Sequence, residues 1–214
     1  MPERLSIETP HRAVSGILSG SGGPLLVLAH GAGNDLKAPI LAGFAEGLAA
    51  AGVACLRFNF VYKERGRKAP DREPVLRDAW SAALEEGRRH GDPVWAGGKS
   101  LGGRIASMMV ADGSLPAAGL VFVGYPLHPP GRHDRIRDEH LRDVEVPMLF
   151  LQGTADSFAR WDLLRATVDR LGDRATLHPI EGGDHSFRVR GRPRDDVGTG
   201  TALGEAAARF ILEH

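Results

Sequence analysis

Cysteine is nearly absent from this chain: Cys55 is the only one among 214 residues. A single thiol cannot close an internal disulfide, and it excludes a cysteine-based metal site. Long apolar runs are missing too. No stretch approaches the roughly 18 residues a membrane-spanning helix needs. The opening MPERLSIETP has no apolar core of the kind a secretory signal requires. Net charge is a third absence. Lys+Arg and Asp+Glu each number 27, giving a formal net charge of 0. Nothing here makes the electrostatic footprint of a nucleic-acid or anionic-membrane binder. Lysine is scarce, at Lys37, Lys63, Lys68 and Lys99 only, so nearly all the positive charge is arginine. No internal repeat or low-complexity tract is visible. These exclusions leave a reducing cytoplasm as the expected compartment and a small molecule as the expected partner, with no nucleic acid and no membrane.

What the chain does have is 42% hydrophobic residues, enough for a sizeable core, in a length that suits one α/β domain spanning 1–214. Short apolar runs alternate with helical segments. Leu5–Ile7 and Ala13–Leu18 predict two short strands joined near Pro10. LLVLA at 25–29 is a continuous apolar run, as expected for a strand covered on both faces. Further strands are predicted at 54–58, 94–97, 119–123, 148–152 and 175–180. Helices are predicted at 39–51, 74–90, 101–111, 162–171 and 201–213, several stopped by glycine, as at Gly52 and Gly172. Such alternation implies a mostly parallel sheet with helices on both faces. Ligands then gather at the carboxyl ends of the strands.

PVWAGGKSLGG, from Pro93 to Gly103, carries two motifs at once. Gly98-Lys99-Ser100 could end a phosphate-binding loop. Gly98-Lys99-Ser100-Leu101-Gly102 is the G-x-S-x-G of a serine hydrolase. The phosphate loop needs a glycine where Pro93 stands, and a wrapping loop where Val94-Trp95-Ala96 reads as strand. The nucleophile elbow needs the opposite, a strand, one sharp turn and a helix. The pattern by itself arises by chance with a probability of about 0.2 in a chain this rich in glycine, so its position after a strand carries the argument. The plainer alternative makes Ser100 the N-cap of the next helix.

A nucleophilic serine needs a base, and the base needs an orienting carboxylate. In a chain ordered Ser, acid, His, each after a strand, Asp156 follows the strand at 148–152 and His185 follows the strand at 175–180. Asp156 has a plainer role as a turn residue and His185 as one of nine histidines; their joint placement favours the triad Ser100, Asp156 and His185. LLVLA runs straight into His30-Gly31-Ala32-Gly33, whose small residues let backbone approach a substrate. The backbone N–H groups of Ala32 and Leu101 are the candidate oxyanion donors. Asn34 or Asp35 is expected to cap the helix that follows.

HGAGND, RFNF with YKERGRKAPD, GGKSLGGRIA, GYPLHPPG, QGTADSF and GGDHSF together resemble the small lidless α/β-hydrolases of the dienelactone-hydrolase-like group. Within that group the chain is most similar to the hydrolase-like family that includes a subunit of a nuclear histone-acetyltransferase complex. The resemblance runs from about Leu5 to Glu213. It implies an α/β-hydrolase fold with an eight-stranded, mostly parallel sheet, one reversed strand near the start and no cap domain. It also implies the same Ser100, Asp156 and His185, with no metal and no cofactor. Dienelactone hydrolases proper use a cysteine nucleophile, so their substrate does not transfer. The expected activity is hydrolysis of a small carboxylic ester; a thioesterase, a peptidase or a non-catalytic interaction module on the same fold are the alternatives, and a homodimer is an assembly left open.

His30, Gly31, Lys99, Tyr125 and His128 are the remaining substrate-pocket candidates. His128 and His133 also read as part of a rigid proline-rich surface loop. The basic stretch from Tyr62 to Arg72 reads as a solvated loop, or a contact for an acidic partner. Arg104 reads as a structural anchor, and Cys55 as a core residue.

Overall fold

In the computed structural model, which describes residues 2–214, eight strands form one sheet. In chain order they are β1 (Glu3–Ile7), β2 (Val14–Ser19), β3 (Leu25–Ala29), β4 (Ala54–Phe58), β5 (Val94–Lys99), β6 (Leu120–Val123), β7 (Met148–Gly153) and β8 (Ala175–Ile180). The helices are α1 (Pro39–Ala50), α2 (Val61–Glu64), α3 (Glu73–Gly87), α4 (Leu101–Ala111), α5 (Trp161–Leu171) and α6 (Asp196–Glu213). The strand order is β1-β2-β4-β3-β5-β6-β7-β8. β2 is antiparallel to both of its neighbours, and from β4 to β8 every pair is parallel. The expected sheet, with its one reversed strand near the start, is present.

Alternate side chains of a strand face opposite sides of the sheet. Leu25, Val27 and Ala29 of β3 pack with Trp80 of α3 and Ile105 of α4, whereas Leu26 and Leu28 pack with Phe44 of α1 and Leu203 of α6. With both faces covered, β3 has no exposed residue, which is why LLVLA is apolar without alternation. Cys55 of β4 lies in this interior, where burial pushes its thiol up to about 12 and leaves it unreactive.

α1 and α6 cross at close range. A Cβ on Gly47 would run into the Thr201 carbonyl oxygen, and one on Gly204 would lie 3.0 Å from the Phe44 carbonyl carbon. The crossing explains a difference from the sequence pattern. α6 starts at Asp196, five residues before Thr201, capped by Asp195 Oδ1 accepting from Gly198 N at 2.8 Å. Gly198 and Gly200 depress helix propensity there. Gly200 is needed because a Cβ would collide with the Ile40 carbonyl of α1.

Strand register brings the working edge together. Ala29 pairs with Gly98, Lys99 with Val123, Val123 with Leu151 and Gly153 with Ile180. The carboxyl ends of β3, β5, β6, β7 and β8 thus form one continuous rim. Residues 124–147, between β6 and β7, hold a 3-10 turn at Glu139–Asp143 but no α-helix, so nothing covers the rim as a cap domain would. Among the described residues, no helix is long and apolar enough to cross a membrane.

Candidate active site

β5 continues as strand through Lys99, so residues 94–99 cannot wrap a phosphate. Ser100 then turns the chain into α4 with φ 50° and ψ −111°, a conformation that L-residues rarely adopt. The turn is sharp enough that a Cβ on Gly98 would lie 2.6 Å from the Gly102 carbonyl carbon, and one on Gly102 would lie 2.8 Å from the His30 carbonyl oxygen. Only glycine lets strand, turn and helix pass so closely. Ser100 occupies the N-cap position of α4, yet its side chain makes no capping hydrogen bond. Its Oγ instead lies 2.9 Å from His185 Nε2.

His185 Nδ1 is 2.7 Å from Asp156 Oδ2. With the carboxylate as acceptor, Nδ1 carries the proton and Nε2 is left to accept from the Ser100 hydroxyl. Asp156 is buried and held on three sides. Its Oδ2 also accepts from Gln152 Nε2 at 2.6 Å, and its Oδ1 accepts from Phe158 N at 2.7 Å. The Phe158 ring lies against the imidazole with centroids 4.3 Å apart. Asp184, adjacent to His185, points elsewhere: its Oδ1 accepts from Ser186 N at 2.7 Å and Arg188 N at 2.9 Å, closing the loop that carries His185.

Gln152 escaped the sequence reading. It is fully buried at the end of β7, and its Oε1 accepts from Tyr125 N at 2.7 Å while its Nε2 reaches Asp156. A glutamine closing a strand otherwise built of Met, Leu and Phe was the available signal, because a buried amide must find partners.

The loop after β3 stands over the elbow. A Cβ on Gly31 would come within 3.6 Å of Ser100 Cβ, and no acceptor among the described residues takes the N–H of Ala32 or of Leu101. Leu101 N–H is one of the unpaired amides at the start of α4. Unpaired N–H groups are what an oxyanion requires.

Three pocket candidates are buried side chains hydrogen-bonded within the protein. His30 is fully buried, its Nδ1 donates to Gly31 O at 2.8 Å and its Nε2 accepts from Phe60 N at 3.2 Å. Burial brings its imidazole down to about 4, so it stays neutral and fixes the shape of the loop. Tyr125 is buried and donates from its hydroxyl to Arg137 O at 2.8 Å. His128 is not on a surface loop as its proline-rich neighbours suggested: it is fully buried, with Nδ1 2.9 Å from Pro129 O and Nε2 accepting from Arg160 N at 2.8 Å. Lys99 is also buried. Its ammonium donates to the His185 carbonyl at 2.5 Å and is brought down to about 8 by burial, against the pull of Asp156 and Asp184. Of the five, Gly31 approaches Ser100 from a different loop, while Lys99 adjoins it in the chain but sends its ammonium to the His185 carbonyl.

Two other expectations change. The helix after the 30–35 loop begins at Pro39 with Ala38 as N-cap; Asp35 Oδ1 accepts instead from Lys37 N at 2.8 Å in the preceding turn. The basic stretch is not wholly solvated, because α2 buries Tyr62, whose hydroxyl lies 3.5 Å from Gly31 O, and Arg67 pairs with Asp71.

A family model described as an alpha/beta hydrolase domain matches residues 23–211. Solved structures share the architecture at low identity. Est1E from Butyrivibrio proteoclasticus superposes with a TM-score of 0.74 at 15% identity, covering 98% of each chain. A dienelactone hydrolase from Anabaena variabilis gives 0.74 at 18%, over 100% of this chain and 98% of its own. A lidless α/β serine hydrolase from Xanthomonas campestris gives 0.73 at 20%, over 98% and 94%.

Proposed function

The chain belongs to the alpha/beta hydrolase domain family, and from that premise we propose that it is a serine hydrolase acting on a small carboxylic ester. Ser100 Oγ attacks the ester carbonyl as its proton passes to His185 Nε2, and Asp156 holds the imidazole in the tautomer that can take it. The carbonyl oxygen gains the negative charge and is held by the N–H groups of Ala32 and Leu101. Collapse of this intermediate breaks the ester C–O bond. The alcohol leaves with the proton from His185, and the acyl group stays on Ser100. Water, deprotonated by His185, then attacks the acyl-enzyme and releases the carboxylic acid with Ser100 restored.

One observation carries the reading: Ser100 sits at a helix N-cap, where serine normally bonds to backbone, yet its hydroxyl is turned 2.9 Å from a histidine that is itself tied to a buried carboxylate. The lidless serine hydrolase among the structural neighbours supports the same reaction class. A fluorophosphonate probe tests it. Covalent labelling of the wild type at Ser100, with burst hydrolysis of a short nitrophenyl ester, is the expected result. An unlabelled Ser100 in folded protein would overturn it.

A further inference from the structure

Of the four lysines only Lys99 is buried. It is the last residue of β5, and alternation along the strand sends its side chain to the face that Trp95 also occupies. Three loops of the rim close on it. A Cβ on Gly31 would lie 3.3 Å from Lys99 Cγ, and one on Gly124 would lie 2.9 Å from its Nζ. From the loop after β8, the Phe187 ring stands with its centroid 5.5 Å from the ammonium. Nζ donates to His185 O at 2.5 Å.

That bond matters because of how the turn carrying His185 is held. Residues 184–188 are closed on themselves. Asp184 N donates to Arg188 O at 3.0 Å, Phe187 N donates to Asp184 O at 2.8 Å, and Ser186 N and Arg188 N both donate to Asp184 Oδ1. Phe187 sits at φ 61°, a conformation that a bulky residue rarely adopts. Among the described residues, Lys99 is the only group of another element that hydrogen-bonds the backbone of this turn. The bonds from the imidazole to Asp156 and Ser100 orient the ring, and the main chain that carries the ring is left to Lys99. The arrangement is a poor one for stability. An ammonium out of water is costly, and this one is met by one carbonyl and one ring face. A methionine could fill the same space without that cost.

We propose that Lys99 is a positioning residue for the base: its ammonium latches the turn that carries His185 and so keeps the imidazole within reach of Ser100. The inference rests on His185 acting as the base for Ser100.

The latch is strongest while the donor is charged. Burial brings the ammonium down to about 8, opposed by the carboxylates of Asp156 and Asp184. The His185 ring faces it across Gly124, where one Cβ would lie 2.9 Å from Nζ and 3.6 Å from Nδ1. His30, in the loop after β3, is neutral, and Arg188, Arg194 and Asp196 line with Lys99 a cavity of about 200 Å³. The latch is therefore closed below about pH 8 and weakens as the pH rises through that value.

Lys99→Met is the test, assayed with a short nitrophenyl ester from about pH 6 to 10. Turnover per folded molecule should fall by on the order of 10- to 100-fold, as when a catalytic group is misplaced by about 1 Å, with KM changed by less than about twofold. The wild type should lose kcat above about pH 8, and this alkaline limb should be missing from the variant. The variant should also be at least as stable to denaturant as the wild type, because a buried charge is removed. A lysine that only supported the fold would show the reverse, lower stability with kcat intact. A kcat within about twofold of the wild type, or a pH profile of the same shape in both proteins, overturns the proposal. If neither protein turns over an ester, the hydrolase reading fails separately, and amide hydrogen exchange decides this one. Exchange at Ser186, Phe187 and Arg188 should quicken by about 10-fold or more in Lys99→Met, while that of Trp95 and Ala96 in β5 stays as it was. Equal rates at the turn in the two proteins would mean that Lys99 latches nothing.

Discussion

At the turn before α4 and at the crossing of α1 with α6, glycines let two backbones touch. A Cβ on Gly98 would lie 2.6 Å from the Gly102 carbonyl carbon, and one on Gly43 would lie 2.9 Å from the Val197 carbonyl carbon. The consequences differ. At the crossing both helices stay regular, and the contact serves packing between apolar faces. At the turn a serine is forced to φ 50°, its hydroxyl is kept from capping the helix, and two amide N–H groups stay unpaired. Close backbone approach is thus no mark of a site by itself. Strain on a residue with a side chain, next to polar groups left without partners, is the mark.

The largest expected effect separates the two regions outright. Ser100→Ala should fold normally and lose turnover by up to about 10⁶-fold. Ser100→Gly should be equally inactive but more stable than Ser100→Ala by about 1–3 kcal/mol, because glycine relieves the strained backbone. Chemical denaturation of the two variants measures it; equal stabilities would mean that the turn stores no strain.

Asp156→Asn comes next. It should keep the fold and reduce turnover by roughly 10⁴-fold through the wrong His185 tautomer. Asp184→Asn, which disturbs only the closing turn, should cost far less. If the order of the two were reversed in steady-state assays, the acid would be misassigned.

The crossing should respond in the opposite manner. Gly47→Ala places a methyl against the Thr201 carbonyl. Overpacking of this kind costs about 3 kcal/mol, or roughly 10 °C in melting temperature for a chain of this length. Activity per folded molecule should be preserved. A loss of kcat at temperatures where the variant is fully folded would show that the crossing and the elbow are coupled.

The sequence carried the elbow well, because strand, glycine and serine adjoin in the chain. It also carried the order of Ser100, Asp156 and His185, each just past a strand. What it could not carry was the depth of side chains in loops. His30 and His128 stand among polar and proline-rich neighbours, and only tertiary packing shows that both have their ring nitrogens occupied inside the protein. Gln152 was hidden for the reverse reason, as one polar residue closing an apolar strand.

His30, in the loop beside the elbow, makes the stability depend on pH. Its folded value is about 4 against an ordinary 6.5, with burial as the main cause. Between these values the unfolded chain takes up a proton that the folded chain refuses. The contribution is therefore full above pH 6.5 and is lost as the pH falls toward 4. His140, also brought down to about 4, acts in the same sense. At about 1.4 kcal/mol per unit, His30 alone supplies an acid sensitivity of order 3 kcal/mol. Denaturant midpoints at pH 7, 5 and 4 should show it, and His30→Gln should flatten the slope even if it lowers stability throughout. An equally steep slope in that variant would remove His30 from the account.

The smallest expected effect concerns the neutral acyl chain, and it sets the open rim against the closed core. α1 and α6 bury Phe44, Leu48, Leu203 and Phe210 against the sheet. Nothing comparable stands over Ser100. Residues 124–147 form no α-helix, their Leu127, Leu141 and Val144 are committed to the core, and Ile136 is their one exposed large hydrophobic. A buried methylene is worth roughly 0.8 kcal/mol, so a walled channel would raise efficiency about fourfold with each added carbon. An uncovered rim offers none of that. Among neutral esters, kcat/KM should therefore stay flat or fall beyond about four carbons, changing only a few-fold from acetyl through butyryl and octanoyl to palmitoyl. A steady rise toward palmitoyl would mean that apolar walls form over Ser100 in solution, with a second copy of the chain as the available source. The contrast between an open site and a closed core would then hold for the isolated chain alone.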